Sequence, residues 1–487
     1  CKNSGPVSSL QPSEDSQEEE AENTRVVLPD NFTLPYEPNQ TLDPVTCPDG
    51  VQQTVGSLLY EGLFRLDETL TPQPWLCTSY QYDPATYTYT FTLRSGVLFS
   101  DGSAFTAADA AATLRRAMNS DRYRTRLYQV TDVSGSGSTL TVVLSGPNTS
   151  FPALLDIPIV KAGTENDLVP LGTGPYVYTT AADGAAPTAN PHWQGSSLPL
   201  ERIALAAVKD NDTALSRFAS RSVHFLCLDP TGTGARTVGG AVESTDVPTA
   251  AMQYLGFNLS RTPLNDAAVR RAMSGVIDRG TLVSSLLSGH GTAAQLPIAP
   301  QDADYPKTYE YRTTAEEYAT ALEAAGVTAA RPRSLTLLVN KENAFRCAVA
   351  ESLCAQLTTA ALTVTVRELP WGEYAAALEV GSFDLYLGEV RLTADWDLTA
   401  LLSTEGSLNY GGWSDETTDR LLQAYRASGA DANLVALWQQ LLDTAPFAPI
   451  CFKSVSVVTT EGVVQGLSPT ETAPLSPLGG WSVRLDA

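Results

Sequence analysis

Apolar and polar positions alternate from Tyr87 to Leu93, which puts Tyr87, Tyr89, Phe91 and Leu93 on one face of a strand. Asp101-Gly102 then reads as a turn. Thr106 stands three residues before Asp109, the spacing of an N-cap ahead of an acidic first turn, and an Ala-rich helix runs on to Met118. Leu140, Val142 and Leu144 mark a second alternating strand, and Val51 to Phe64 carries apolar residues at helical spacing. Residues 202–208, 214–220 and 223–228 read as strand, helix and strand, and Met252 to Phe257 as an apolar strand. Asp266 is placed to cap a helix carrying Val269, Ala272 and Ile277. Beyond Ser334, strands at 335–339, 362–366 and 383–387 alternate with helices at 343–357 and 371–379, the pattern of an α/β lobe. Helices follow at 415–427 and 433–444, and residues 445–453 are expected to return the chain to its first half.

The 487 residues leave room for roughly three domain-sized units. A net charge of -23 argues against a nucleic-acid partner, because counterion release needs clustered Lys and Arg. No run approaches eighteen apolar residues, so no membrane-spanning helix is expected. Residues 1–25 are polar, with Glu14, Asp15, Glu18, Glu19, Glu20 and Glu22 against Lys2, a composition that predicts disorder. Cys1 ahead of such a tether looks like the acylated first residue of a mature lipoprotein, which would hold the protein to the bacterial cell membrane.

Catalytic signatures are missing from the sequence. It contains no GxSxG elbow, HExxH pair, Walker A loop or GxGxxG turn. His192, His224 and His290 fall in separate segments, and Asp395 and Asp397 are one acidic pair among many. Neither an enzyme nor a metal or cofactor site is expected. The cysteines form no CxxC motif. Cys347 and Cys354 fall about 10 Å apart on one helix, too far for a disulfide, whereas a Cys47–Cys77 bridge is left open.

The chain resembles the extracytoplasmic solute-binding proteins of peptide-type ABC importers, family 5. The resemblance rests on Leu42-Asp43-Pro44, Glu61-Gly62-Leu63, the strand–turn–helix from Tyr87 to Met118, and Gly172-Thr173-Gly174-Pro175-Tyr176 with Asn190 and Trp193 after it. It continues through Asn258, Pro263, Asp266, Val269-Arg270 and Asp278-Arg279, and covers about residues 38–458. It implies a two-lobed α/β fold of the periplasmic-binding-protein type (type II, large peptide-binding class) with an extra subdomain in the first lobe. Lobe I would take residues 26–253 and 455–487, with the subdomain at about 50–165, and lobe II residues 254–454. Hinges would lie near 254–258 and 449–454. The implied role is capture of a solute, foremost a peptide, by a monomer that delivers it to ABC permease and ATPase subunits. A non-peptide solute such as a glycan, modified amino acid or cationic metabolite, or a sensing receptor without transport, are the other readings.

The resemblance also points to a site. Peptide-binding members place an Asp after a Gly-Trp-x-x step to neutralise the ligand amine. An ungapped match puts Glu389 at the Trp position and Leu392 at the Asp position of that step. The Arg that dipeptide-type members aim at the ligand carboxylate is replaced by Asn340, so both charge anchors are missing. Glu389 and Arg391 are the candidates for relocated anchors. Trp371 corresponds to a residue lining the cleft, Pro48 and Asp49 to a cleft loop, and Tyr410 to the far wall.

Overall fold

Two long strands, Val242–Phe257 and Phe447–Thr460, run antiparallel through the middle of a seven-stranded sheet. This is a computed structural model, and it describes residues 26–195 and 197–486. Cys1 and its tether lie outside the described residues.

Across the sheet the order is Phe225–Leu228, Phe447–Thr460, Val242–Phe257, Leu385–Arg391, Arg333–Asn340 and Leu362–Leu369, with Gly291–Ala293 also paired to Phe447–Thr460. The register of the long pair breaks between Pro248 and Met252. Pro248 has no N–H to continue the ladder, so the strand bulges. Thr249 secures the bulge: its hydroxyl donates to the Lys453 carbonyl at 2.7 Å and accepts from the Ala251 amide at 3.1 Å.

Buried apolar residues divide at this point. One core joins Phe32, Leu34, Phe225, Val247 and Val457, while two others, beyond the bulge, gather residues between Met252 and Phe452. A separate core from Val45 to Ile159 belongs to a small unit in which the helix Ala107–Met118 packs on a four-stranded antiparallel sheet. Helix and sheet touch so closely that a Cβ on Gly135 would lie 2.2 Å from the Ala107 carbonyl oxygen. Thr106 caps the helix as expected, its amide donating to Asp109 at 2.9 Å, and Asp109 also accepts from Ala162 at 3.0 Å. Sequence order, local capping and packing agree here.

Two expectations are corrected. The helix from Val51 stops at Leu59 instead of Phe64, because Glu61 pairs with Ile159 and Gly62 packs on the 156–157 backbone. The strand expected at 383–387 runs from Leu385 to Arg391. Cys47 and Cys77 are both free thiols: Cys47 lies against Arg122, and Cys77 donates to the Ser79 carbonyl. Among the described residues no helix is long and apolar enough to cross a membrane.

Candidate functional site

Strands Arg333–Asn340 and Leu385–Arg391 are parallel, and Arg391 stands in register with Ala251 at the bulge of the antiparallel strand. The carboxyl ends of the parallel strands and the bulge therefore share one edge of the sheet. That edge is tied to loops from the first part of the chain through Asn343–Thr231 and Lys453–Asp229, and because such an edge is the usual place for a ligand in an α/β sheet it is the candidate floor of a binding crevice.

Lys453 sits on this floor. Only 6% of its side chain is exposed, and its ammonium lies 2.8 Å from Asp229 and 3.7 Å from Glu389. Asp229 follows the strand Phe225–Leu228, which pairs with Ser456–Thr459, so the lysine reaches the end of its neighbouring strand. Gln253, opposite Glu389 in register, donates to the second Glu389 oxygen at 3.1 Å. One lysine thus serves two carboxylates, leaving about one negative charge uncompensated at the crevice. Asn343 adds a second tie across it, donating to the Thr231 carbonyl at 3.0 Å.

Two residues beyond Glu389, Arg391 projects from the same face of the strand. Protein atoms crowd it and lower its pKa by desolvation, an effect that Arg126 reinforces and that Glu389, Asp229 and Asp49 oppose. Yet 61% of its side chain remains exposed. Its guanidinium pairs with Glu471, which also accepts from the Ala250 amide at 3.3 Å.

The sequence candidates separate into those at this edge and those away from it. Glu389 and Arg391 are together, and Asp49 is close enough for its charge to act on Arg391. Half-buried Pro48 belongs to the same loop, which Arg122 pins through Pro44 at 2.7 Å and Asp49 at 2.9 Å. Asn340 ends the neighbouring strand and is joined through Glu342 to the amide of Trp371, which is 57% exposed. The Asn340 side-chain oxygen is buried without a partner among the described residues. Leu392 is 7% exposed and packs in a core with Trp396 and Tyr305. Tyr410 packs on Tyr386, which stands roughly 17 Å along the strand from Arg391 at about 3.4 Å per residue. Neither Leu392 nor Tyr410 joins the charged group.

Sequence reasoning missed Lys453, Asp229, Gln253 and Glu471. A signal existed for the first: a lone lysine in the apolar run Ile450-Cys451-Phe452-Lys453 had to be paired. Asp395 and Asp397 face Arg426 at 3.7 and 3.0 Å, in a cluster that also includes Tyr128 and Asn148. The three histidines do not converge: His224 bonds the Thr33 amide and the Arg221 carbonyl, His290 pairs with Asp246, and His192 adjoins Asn190.

Residues 71–410 match the family model for bacterial extracellular solute-binding proteins, family 5 Middle. The chain belongs to this family. It is similar to the glutathione-binding protein GsiB of Salmonella typhi, 28% identical over 307 residues, which are 60% of this chain and 58% of that protein. The match therefore spans less than two thirds of that relative's length. Among solved structures it is similar to a nickel ABC transporter protein from Bacillus halodurans, with a TM-score of 0.76, 19% identity, and 94% and 100% of the two chains covered. It is also similar to the unliganded open form of MppA, a periplasmic murein tripeptide-binding protein, with a TM-score of 0.75, 18% identity and coverage of 94% and 98%. The fold is the two-lobed α/β fold of these proteins, and the family acts outside the cytoplasm.

Proposed function

We propose that this protein captures short peptides outside the cytoplasm for an ABC importer, closing two lobes around the ligand. Its similarity to a glutathione-binding protein and a murein tripeptide-binding protein favours a peptide. The observation that carries the reading is the charge pattern on one strand face. Glu389, sharing Lys453 with Asp229, offers excess negative charge to an ammonium, and Arg391 offers a cation to a carboxylate. Their Cα atoms lie about 7 Å apart at the rise of a strand, roughly the span of two peptide residues. A zwitterionic peptide fits both ends at once, and a buried peptide terminus without such a partner would be costly.

The proposed lobes meet at the bulge Pro248–Met252 and the facing segment Phe452–Ser454, slightly before the first expected hinge. The Val45–Ile159 unit is the subdomain of the first lobe. No covalent step is involved. Ligand contacts made only in the closed form shift the population toward it. Delivery to permease and ATPase subunits, and anchoring through an acylated Cys1, belong to the same proposal. Intact mass of protein from its native membrane would show the acyl groups, and an unmodified thiol would exclude them.

Calorimetry with di-, tri- and pentapeptides, glutathione, sugars and polyamines tests the ligand class. Short peptides are expected to bind, and Arg391→Gln to weaken free-acid peptides more than their amides. If peptides of every length fail while another class binds, the peptide reading is wrong.

A further inference from the structure

We propose that Glu471 is a built-in carboxylate that occupies the anion position at Arg391 and competes with the acidic end of an incoming ligand. This makes it a specificity-determining residue of the cleft. The inference rests on the reading of Arg391 as the carboxylate site.

Glu471 sits at the tip of a tight turn. Thr470 and Ala473 exchange both backbone hydrogen bonds at 3.2 Å, and below them Ser468 donates to Ser476 at 2.9 Å. Leu475 and Trp481 anchor the base of the turn in the same core as Phe32, and the Trp481 indole donates to the Leu475 carbonyl at 2.9 Å. The turn is thus part of the first lobe, whereas Arg391 ends a strand of the second.

Both carboxylate oxygens are engaged. Oε1 meets the Arg391 guanidinium, and Oε2 accepts from the Ala250 amide at 3.3 Å. Ala250 lies within the bulge, where the register break removes its ladder partner. A guanidinium together with a free backbone N–H is what a peptide carboxylate needs for charge-assisted binding. No other part of the proposed ligand requires that pair.

Displacement is within reach of a modest ligand. The Arg391 side chain is 61% exposed and that of Glu471 23%, and an ion pair with one solvated partner contributes little. A ligand carboxylate can therefore replace Glu471 at small cost, while a ligand with a neutral end leaves it in place. The native glutamate narrows the preference for acid-ended ligands and ties the lobes together when no such ligand is bound.

Calorimetry with N-acetylglycine, which carries a carboxylate and no amine, tests this against the neutral N-acetylglycinamide. Relative to wild type, E471Q is expected to bind N-acetylglycine up to about fivefold more tightly and the amide no differently. The gain should vanish in the protein carrying both E471Q and R391Q. E471A, which removes the side chain outright, should behave like E471Q, and the far-UV spectrum and melting temperature of each variant report its folding. Equal affinities of wild type and folded E471Q for N-acetylglycine would overturn the proposal. Short peptides titrated into wild type separate the two failures. If E471Q gains the carboxylate probe while no peptide binds wild type, the peptide reading fails and the role of Glu471 stands. If peptides bind and E471Q changes nothing, the reverse holds.

Discussion

Nη1 of Arg426 lies 3.0 Å from Oδ1 of Asp397, within a polar cluster that joins the Val45–Ile159 unit to residues 395–397 and the helix Glu416–Ala427. Gln129 accepts from the same guanidinium, and Thr149 donates its amide to the Arg426 carbonyl at 3.0 Å. Asn148 reaches Asp395 at 3.1 Å, and Tyr128 donates to Asp397. Arg426, Asp395 and Asp397 are all nearly buried. Burial pushes the Asp395 carboxyl above its ordinary pKa, and Arg426 holds it back.

Removing the cation from this cluster leaves two carboxylates without compensation. Arg426→Leu is expected to lower stability by ~3–5 kcal/mol, the usual consequence of breaking one side of a buried pair. Tyr128→Phe deletes only a hydroxyl on a half-exposed ring and should cost ~1 kcal/mol or less. Urea denaturation of both variants checks the contrast. Equal, small losses would mean that the cluster is not held by Arg426.

Glu61 makes a second forecast possible. Its buried carboxylate accepts from the Trp75 indole at 2.6 Å, the Trp193 indole at 3.2 Å and the Thr173 hydroxyl at 2.9 Å. These donors come from three separate segments, so the glutamate fixes the start of the subdomain against the Gly172–Tyr176 turn. Glu61→Leu should cost ~3 kcal/mol by leaving buried donors unpaired. Glu61→Gln retains one acceptor oxygen and should cost less. Denaturation gives the energies, and near-UV circular dichroism should register the released tryptophans in the Leu variant.

Much of the fold was legible because its determinants are local. The strand at Thr88–Leu93 follows from strict alternation, and the helices after Thr106, Asp266, Asn343 and Asp415 follow from capping residues that do bond their first turns. The first half of Val242–Phe257 was not legible. Glu243, Ser244, Thr245 and Asp246 are polar and exposed, and become strand only by pairing with residues 456–459 far along the chain. The site divides in the same way. Glu389 and Arg391 could be found from a local motif, whereas Asp229, Lys453 and Glu471 reach them from distant segments. Leu392, placed at the Asp position by an ungapped match, packs into the core beside this group.

His224 supplies a pH dependence with a defined sign. Its Nδ1 accepts from the Thr33 amide at 3.0 Å, and its Nε2 lies 3.0 Å from the Arg221 carbonyl, so the neutral Nε2–H form satisfies both. Burial lowers its pKa from the ordinary 6.5, with the Arg221 carbonyl opposing. The unfolded chain therefore takes up this proton first as pH falls. The stabilisation is full above 6.5 and is lost as pH drops from there through the lowered folded value. His224→Asn keeps an acceptor and cannot titrate, so its stability should vary less with pH below 6.5 than that of wild type. Urea denaturation across that range measures both slopes, and identical slopes would exclude His224 as their source.

Lys453 allows the crevice charges to be tested without any ligand. Its ammonium is the cation shared by Asp229 and Glu389, at 2.8 and 3.7 Å. Lys453→Met preserves most of the volume but leaves the two carboxylates facing each other. At neutral pH the variant should be less stable by ~2–4 kcal/mol. The sign of the pH effect follows from linkage. Protonating either carboxylate removes the like-charge repulsion. The deficit should therefore be full at neutral pH and shrink on acidification. Asp229→Asn added to Lys453→Met should recover part of the loss at neutral pH, because it removes the repulsion directly. Denaturation of wild type, Lys453→Met and the double variant at several pH values distinguishes this from a packing defect, which would leave the deficit constant with pH and unaffected by Asp229→Asn.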